Sequence, residues 1–173
     1  SIPREEAVAQ PTLTLAQKRI RRLRRSLAAA GLNEAISRAF IREEDAKAFG
    51  GGAPALHLAN PISQDMSVMR PSALPGLLRA VKRNLDRGLT PVRLFEIGAC
   101  FEDDTPKGQF QVAAMILAGH HGEAHWSSKA KAFDVYDAKY EAERALRAVG
   151  APVEKLMITT DAPAWFHPGR SGV

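Results

Sequence analysis

The sequence predicts an α+β fold in which an antiparallel sheet is flanked by helices, and a few observations lead there. From Leu56 to Phe101 an extended segment, an Asn60-Pro61 turn, an amphipathic helix and a buried strand follow one another. A second apolar strand, Gln111 to Ala118, returns after a connection containing Asp103, Asp104, Pro106 and Gly108, which is hairpin chemistry. Two more amphipathic helices, one after Thr14 and one from Asp134, lie outside that pair in the chain.

The central helix is justified by its spacing. Leu74, Leu77, Leu78, Val81 and Leu85 fall at i, i+3, i+4, i+7 and i+11, with Arg79, Lys82, Arg83 and Asp86 between them. Pro75 is tolerated in the first turn after a Ser72 cap, because its missing N–H breaks no intrahelical bond there. Gly88 supplies the stop. The strand Val92–Phe101 is apolar on both faces, as the middle of a sheet requires.

The first helix opens on a capping box, Thr14 with Gln17, and its apolar stripe is Ile20, Leu23, Leu27 and Ala30. Gly31 ends it, and Leu32 suits the hydrophobic contact that accompanies a left-handed stop. Glu34 to Ile41 alternates loosely and is expected to be a strand, and Glu43 to Phe49 a short helix ended by Gly50, Gly51 and Gly52. Those glycines form a turn and not a phosphate loop, since no Gly-Lys-Ser/Thr follows. Arg70 reads as a salt bridge fixing a corner in preference to a ligand contact. The last strong helix runs from Asp134 to Val149 with Val135, Ala138, Ala142, Ala145 or Leu146, and Val149 on its apolar face. Asp134 and Asp137 complement its dipole. Val153 to Thr160 is expected to be a further strand.

Composition bounds the function. At 173 residues and 45% apolar content, the chain can bury one real core. No run of eighteen apolar residues is present and SIPREEAVAQ has no apolar signal core, so a cytoplasmic protein without a membrane span is expected. Residues 1–12 read as a connector from an upstream domain and 13–173 as one module, expected to be truncated at its C-terminal end. Cys100, the single cysteine, reads as a small buried side chain and not a nucleophile.

The net charge of +5 is local. Lys18, Arg19, Arg21, Arg22, Arg24 and Arg25 account for it, and the rest of the chain is close to neutral. Six cations on one helix repel one another at i+3 and i+4, so something offsets them. Two readings stand: contact of Lys18, Arg21, Arg22 and Arg25 with RNA or an acidic partner, or a solvated face balanced by acidic residues brought in by the fold. His120, His121 and His125 are the one cluster that suggests a metal. Glu123 is displaced from the zinc-protease spacing, Gly122 weakens a helix and a third ligand is lacking, so the segment reads as a strand-end loop.

The words NPIS, MSVMRPSALPGLL, RN and LFEIGACF come in the order found in the β subunit of bacterial phenylalanine-tRNA ligase, and the chain resembles that family over nearly its whole length. FDVYDAKYEAE and FHPGRSG are similar to two later segments of the family. The resemblance implies a catalytic-like module: a copy of the class II aminoacyl-tRNA synthetase fold that lacks the aminoacylation site carried by the α subunit. It implies packing against that α subunit in an α2β2 enzyme, which joins phenylalanine to tRNA(Phe) using ATP and magnesium, with no cofactor held by this stretch.

A working class II site needs cations to grip a triphosphate. Catalytic relatives carry one arginine on the strand-loop-strand that LFEIGACFED resembles, and by that comparison its place is taken here by Glu102, with Asp103 and Asp104 following. A second arginine of such enzymes follows the segment that FHPGRSG resembles, where this sequence stops. No catalytic, cofactor-binding or metal residue is therefore expected. The rival readings are an active adenylating enzyme and a stand-alone RNA-binding module using the helix at 18–25.

Overall fold

The computed structural model describes residues 12–122, 125–127, 129–167 and 169–172; all but the last residue of the expected connector lies outside them. Its elements are α1 (Leu15–Ala29), β1 (Asn33–Glu34), β2 (Phe40–Ile41), α2 (Glu43–Ala48), β3 (Val68–Met69), α3 (Leu74–Leu85), β4 (Val92–Phe101), β5 (Gln109–Ala118), β6 (His120–His121), β7 (Lys131–Ala132) and α4 (Val135–Val149). Among the described residues no helix is long and apolar enough to cross a membrane.

The β4–β5 hairpin is the spine. Its strands pair antiparallel without interruption from Val92 opposite Ala118 to Phe101 opposite Gln109, and β1 joins the other edge of β4. Because side chains alternate along a strand, β4 feeds two layers. Phe95 and Ile97, with Met115 and Leu117 of β5, pack on Leu23 and Leu27 of α1 and Ala145 of α4. Val92 and Leu94, with Ala114 and Ile116, pack on Leu77 and Val81 of α3. The two-sided apolar pattern of β4 thus has its cause in a helix layer on each face. A smaller cluster, Ile41, Ala46, Leu56 and Val68, joins β2, α2 and β3.

The helix signals work as read at α1. Thr14 Oγ1 accepts from the Gln17 N–H and the Gln17 side chain accepts from the Thr14 N–H. At the other end Gly31 has φ +82°, and the Gly31 and Leu32 N–H groups donate to the Ala28 and Leu27 carbonyls, a Schellman stop with Leu32 buried. α4 starts on a second capping box, Asp134 with Asp137, and stops at Gly150, φ +84°.

Several expectations need correction. Residues 34–41 are not one strand: after the Ala35 N–H donates to the Phe95 carbonyl, Ser37 turns its N–H and hydroxyl onto the Glu96 carboxylate, and the chain leaves for a second sheet. The main sheet is not purely antiparallel, since β1 pairs parallel to β4. Residues 153–160 form a 3₁₀ turn, Val153–Lys155, and then no strand, with Met157 85% exposed; an apolar run needs a ladder partner, and none of the described residues supplies one. The inner face of α4 is rotated away from Val135, Ala138 and Ala142, which are exposed; of Ala145 and Leu146 it is Ala145 that is buried, with Ala148 and Val149 partly so, and Glu141 is turned inward to Arg93 of β4 at 3.1 Å. Helix α3 takes Ala73 as its N-cap, although Ser72 Oγ still accepts from the Leu74 N–H at 3.2 Å.

Candidate functional site

The candidate site lies at the end of β4, and β3 delivers Arg70 to it. The Arg70 N–H donates to the Ala39 carbonyl and its carbonyl accepts from the Phe101 N–H, so the backbone is fixed from both sides. Its guanidinium donates from Nε to the Ala99 carbonyl at 2.8 Å, and from Nη1 to Glu96 Oε1 at 2.6 Å and Ser37 Oγ at 2.9 Å. Ser37 Oγ in turn donates to Glu96 Oε2 at 2.6 Å. Arg70 and Glu96 are each 3% exposed. The charge is buried because it is paired and hydrogen-bonded, which is the condition for burying one at all. Arg70 is therefore a corner residue, buried with its Nε and Nη1 donors engaged inside the protein.

Gly98 belongs to the same arrangement: a Cβ there would run into Arg70 Nη2. Cys100, fully buried, has its thiol pushed up by burial, with Arg70 opposing and Glu96 adding to the rise, so it stays protonated and unfit as a nucleophile.

Just beyond β4 lies a pocket of about 300 Å³ lined by Phe49, Phe101, Phe110, Trp165 and Glu102 among others. Of the three carboxylates expected to face it, only Glu102 does. Asp103 folds back onto its own turn, accepting from the Thr105 N–H at 2.7 Å and Thr105 Oγ1 at 2.6 Å; the hydroxyl first and the amide second hold its carboxyl below the usual range. Asp104 is exposed on the hairpin tip. Among the described residues no lysine or arginine lines the pocket, so those residues do not fit a nucleotide triphosphate.

On α1, Lys18, Arg21, Arg22 and Arg25 line, with Leu13, an open groove of about 380 Å³. Among the described residues the fold pairs one carboxylate with the cations of this helix: Glu34 Oε1, 2.7 Å from Arg24 Nε. No ion pair among the described residues involves the other five cations.

The histidines are not gathered. His120 and His121 sit on β6 beside β7, with His121 Nε2 2.9 Å from Asp137 Oδ2, while His125 Nδ1 contacts Ser127 Oγ at 2.8 Å. Glu123 lies outside the described residues. Among the described residues no three metal-type side chains converge.

Sequence reasoning missed Ser37, Glu96, Gly98 and Trp165. A glutamate and a glycine inside a largely apolar strand were the available signals for Glu96 and Gly98, since a charge there needs a partner and a glycine marks close approach; Ser37 had no signal of its own. Trp165 had no local signal.

Residues 1–173 match the family described as the phenylalanyl tRNA synthetase beta chain CLM domain. The chain is 48% identical over 166 residues to the phenylalanine-tRNA ligase beta subunit of Paramagnetospirillum magneticum, covering 96% of this chain and 21% of that protein. It is 50% identical over 170 residues to that of Bartonella henselae, again 96% and 21%. It thus spans about a fifth of the length of these curated relatives. In fold it is similar to the pyrrolysyl-tRNA synthetase of Desulfitobacterium hafniense, with TM-score 0.61 and 16% identity over 87% of this chain and 52% of that one. A second likeness is to an ATP phosphoribosyltransferase regulatory subunit/histidyl-tRNA synthetase from Bacillus halodurans, with TM-score 0.55 and 15% identity over 86% and 40%. With its hairpin spine, its helix layers and a match along its whole length, the chain belongs to the phenylalanyl-tRNA synthetase beta chain CLM family.

Proposed function

We propose that the chain is a non-catalytic, class II-like module of a phenylalanine-tRNA ligase β subunit. It packs against the catalytic α subunit of a cytoplasmic α2β2 enzyme that attaches phenylalanine to tRNA(Phe) using ATP and magnesium. The observation that carries this reading is the end of β4, where a carboxylate, Glu102, occupies the wall on which a working relative needs a cation. Arg70, the nearby guanidinium on the same corner, is 3% exposed and committed through Nε and Nη1 to Glu96, Ser37 and the Ala99 carbonyl, so it does not compensate.

The test is a pair of measurements on the chain and an α subunit of the family. Co-elution of the two on size exclusion, with no phenylalanine-dependent pyrophosphate exchange by the chain alone, is the expected result. Exchange activity in the chain alone, or failure to co-elute, overturns the reading.

The groove of Lys18, Arg21, Arg22 and Arg25 supports a second role within the same assembly, contact with tRNA or with an acidic surface of the partner. Its support is that, among the described residues, the one ion pair on α1 is that of Glu34 with Arg24.

A further inference from the structure

The pocket beyond β4 combines aromatic walls with a single charge. Phe49 and Trp165 meet at 5.9 Å between ring centroids, Phe101 and Phe110 come from the two hairpin strands, and Glu102 stands at the end of β4. Two glycines let the walls approach. A Cβ on Gly50 would lie 2.9 Å from the Trp165 ring and one on Gly51 would lie 2.6 Å from Pro71, and Gly50 also holds φ +81°. No ion pair among the described residues includes Glu102.

The field in this pocket has one sign. Glu102 supplies a full negative charge and the faces of the aromatic rings a weaker one, so an anion is repelled, while a neutral apolar group uses the rings alone and leaves the exposed carboxylate to water. A cation gains from both. Between the cationic groups, guanidinium fits better than ammonium: it is flat, weakly hydrated, stacks on rings and offers a two-pronged donor edge to a carboxylate. About 300 Å³ has room for such a side chain.

We infer that this pocket binds a guanidinium cation, stacked on its aromatic wall and paired with Glu102. The cation is either free or an arginine side chain on another polypeptide, and the chemistry of recognition is the same. The inference does not rest on the assembly role proposed above.

The test uses the intrinsic fluorescence of Trp165 in a Trp126→Phe background, since Trp126 is 92% exposed and away from the pocket lining. N-acetyl-arginine amide is the probe, and N-acetyl-citrulline amide is its uncharged counterpart of the same shape. A saturable change with the arginine probe, weakened by about tenfold or more for citrulline and for Glu102→Gln, is expected. Circular dichroism confirms that the Glu102→Gln protein is folded, and Phe49→Leu weakens the same response through the other wall. If a capped Gly-Arg-Gly peptide saturates at lower concentration than the single amide, the cation is one carried by a polypeptide; if the two are equal, it is a free one. No response in the parent, an equal response to citrulline, or undiminished binding by Glu102→Gln each overturns the inference.

Discussion

Arg70 Nη1 lies 2.6 Å from Glu96 Oε1, and both side chains are 4% exposed. Arg70 directly follows β3 and Glu96 lies in β4, 26 positions apart, and the bond ties the small β2–β3 sheet to the hairpin spine. Arg70→Ala leaves Glu96 buried and unpaired, so a loss of about 3–5 kcal/mol is expected in urea unfolding. Replacing both by apolar residues of similar size, Arg70→Met with Glu96→Leu, costs much less, because no uncompensated charge remains. Gly98→Ala displaces the same guanidinium without touching either charge and lowers the urea midpoint as well. A double replacement as damaging as the single one contradicts this account.

Leu77 and Leu78 are neighbours on α3 that the apolar spacing treats alike, yet Leu77 is fully buried and Leu78 is 46% exposed. Thermal or urea melts of Leu77→Ala are expected to show a loss of about 2–5 kcal/mol. Those of Leu78→Ala stay within about 0.5–1 kcal/mol. Comparable losses at the two positions contradict the packing described for α3.

The start of α4 sets an acid limit. Lys131 beside Asp134, followed by the Asp137 amide, holds the Asp134 carboxyl below its ordinary value of 3.8, and the Asp134 carboxylate in turn accepts from the Tyr136 amide. Asp137 is lowered too, first by its backbone hydrogen bond at Asp134 and next by His121. A carboxyl that titrates lower folded than unfolded contributes stability above the unfolded value, and that stability is lost as pH falls through the folded value. Helicity of α4 is therefore constant above about pH 5 and declines below 3.8. Asp134→Asn flattens that decline while lowering helicity at neutral pH. A pH profile identical to the parent's would falsify the assignment.

The groove on α1 predicts salt dependence. Binding of tRNA or an acidic partner is expected to weaken as salt rises, and Arg21→Glu with Arg22→Glu lowers the logarithmic salt slope by about two as well as the affinity. Fluorescence anisotropy with labelled tRNA at several salt concentrations reads both quantities. An unchanged slope removes these residues from the contact.

Local chemistry was the legible part of the fold. Capping boxes at Thr14 and Asp134, the stops at Gly31 and Gly150, and the β4–β5 hairpin are set by residues within a few positions of one another, and the sequence states them directly. What was not legible depends on partners far along the chain. Ser37 leaves the sheet because Glu96 is there, and Glu141 of α4 is turned inward to Arg93, pairs 59 and 48 positions apart. The run Leu156–Thr159 fails for the same reason in reverse: its apolar content is real, but strand formation is a property of two segments. At the site, Glu102 was legible as a carboxylate at the end of the strand, whereas the turning away of Asp103 follows from Thr105 two residues on and needed the turn geometry.

The uninterrupted pairing of β4 with β5 also governs where chain length can change. Leu94 and Phe95 are consecutive but belong to opposite helix layers, so an insertion of one residue inside either strand would exchange every inward partner on one side of it. Insertions and deletions are confined by this to the tip between Phe101 and Gln109, where the turn is local and solvent takes up the difference.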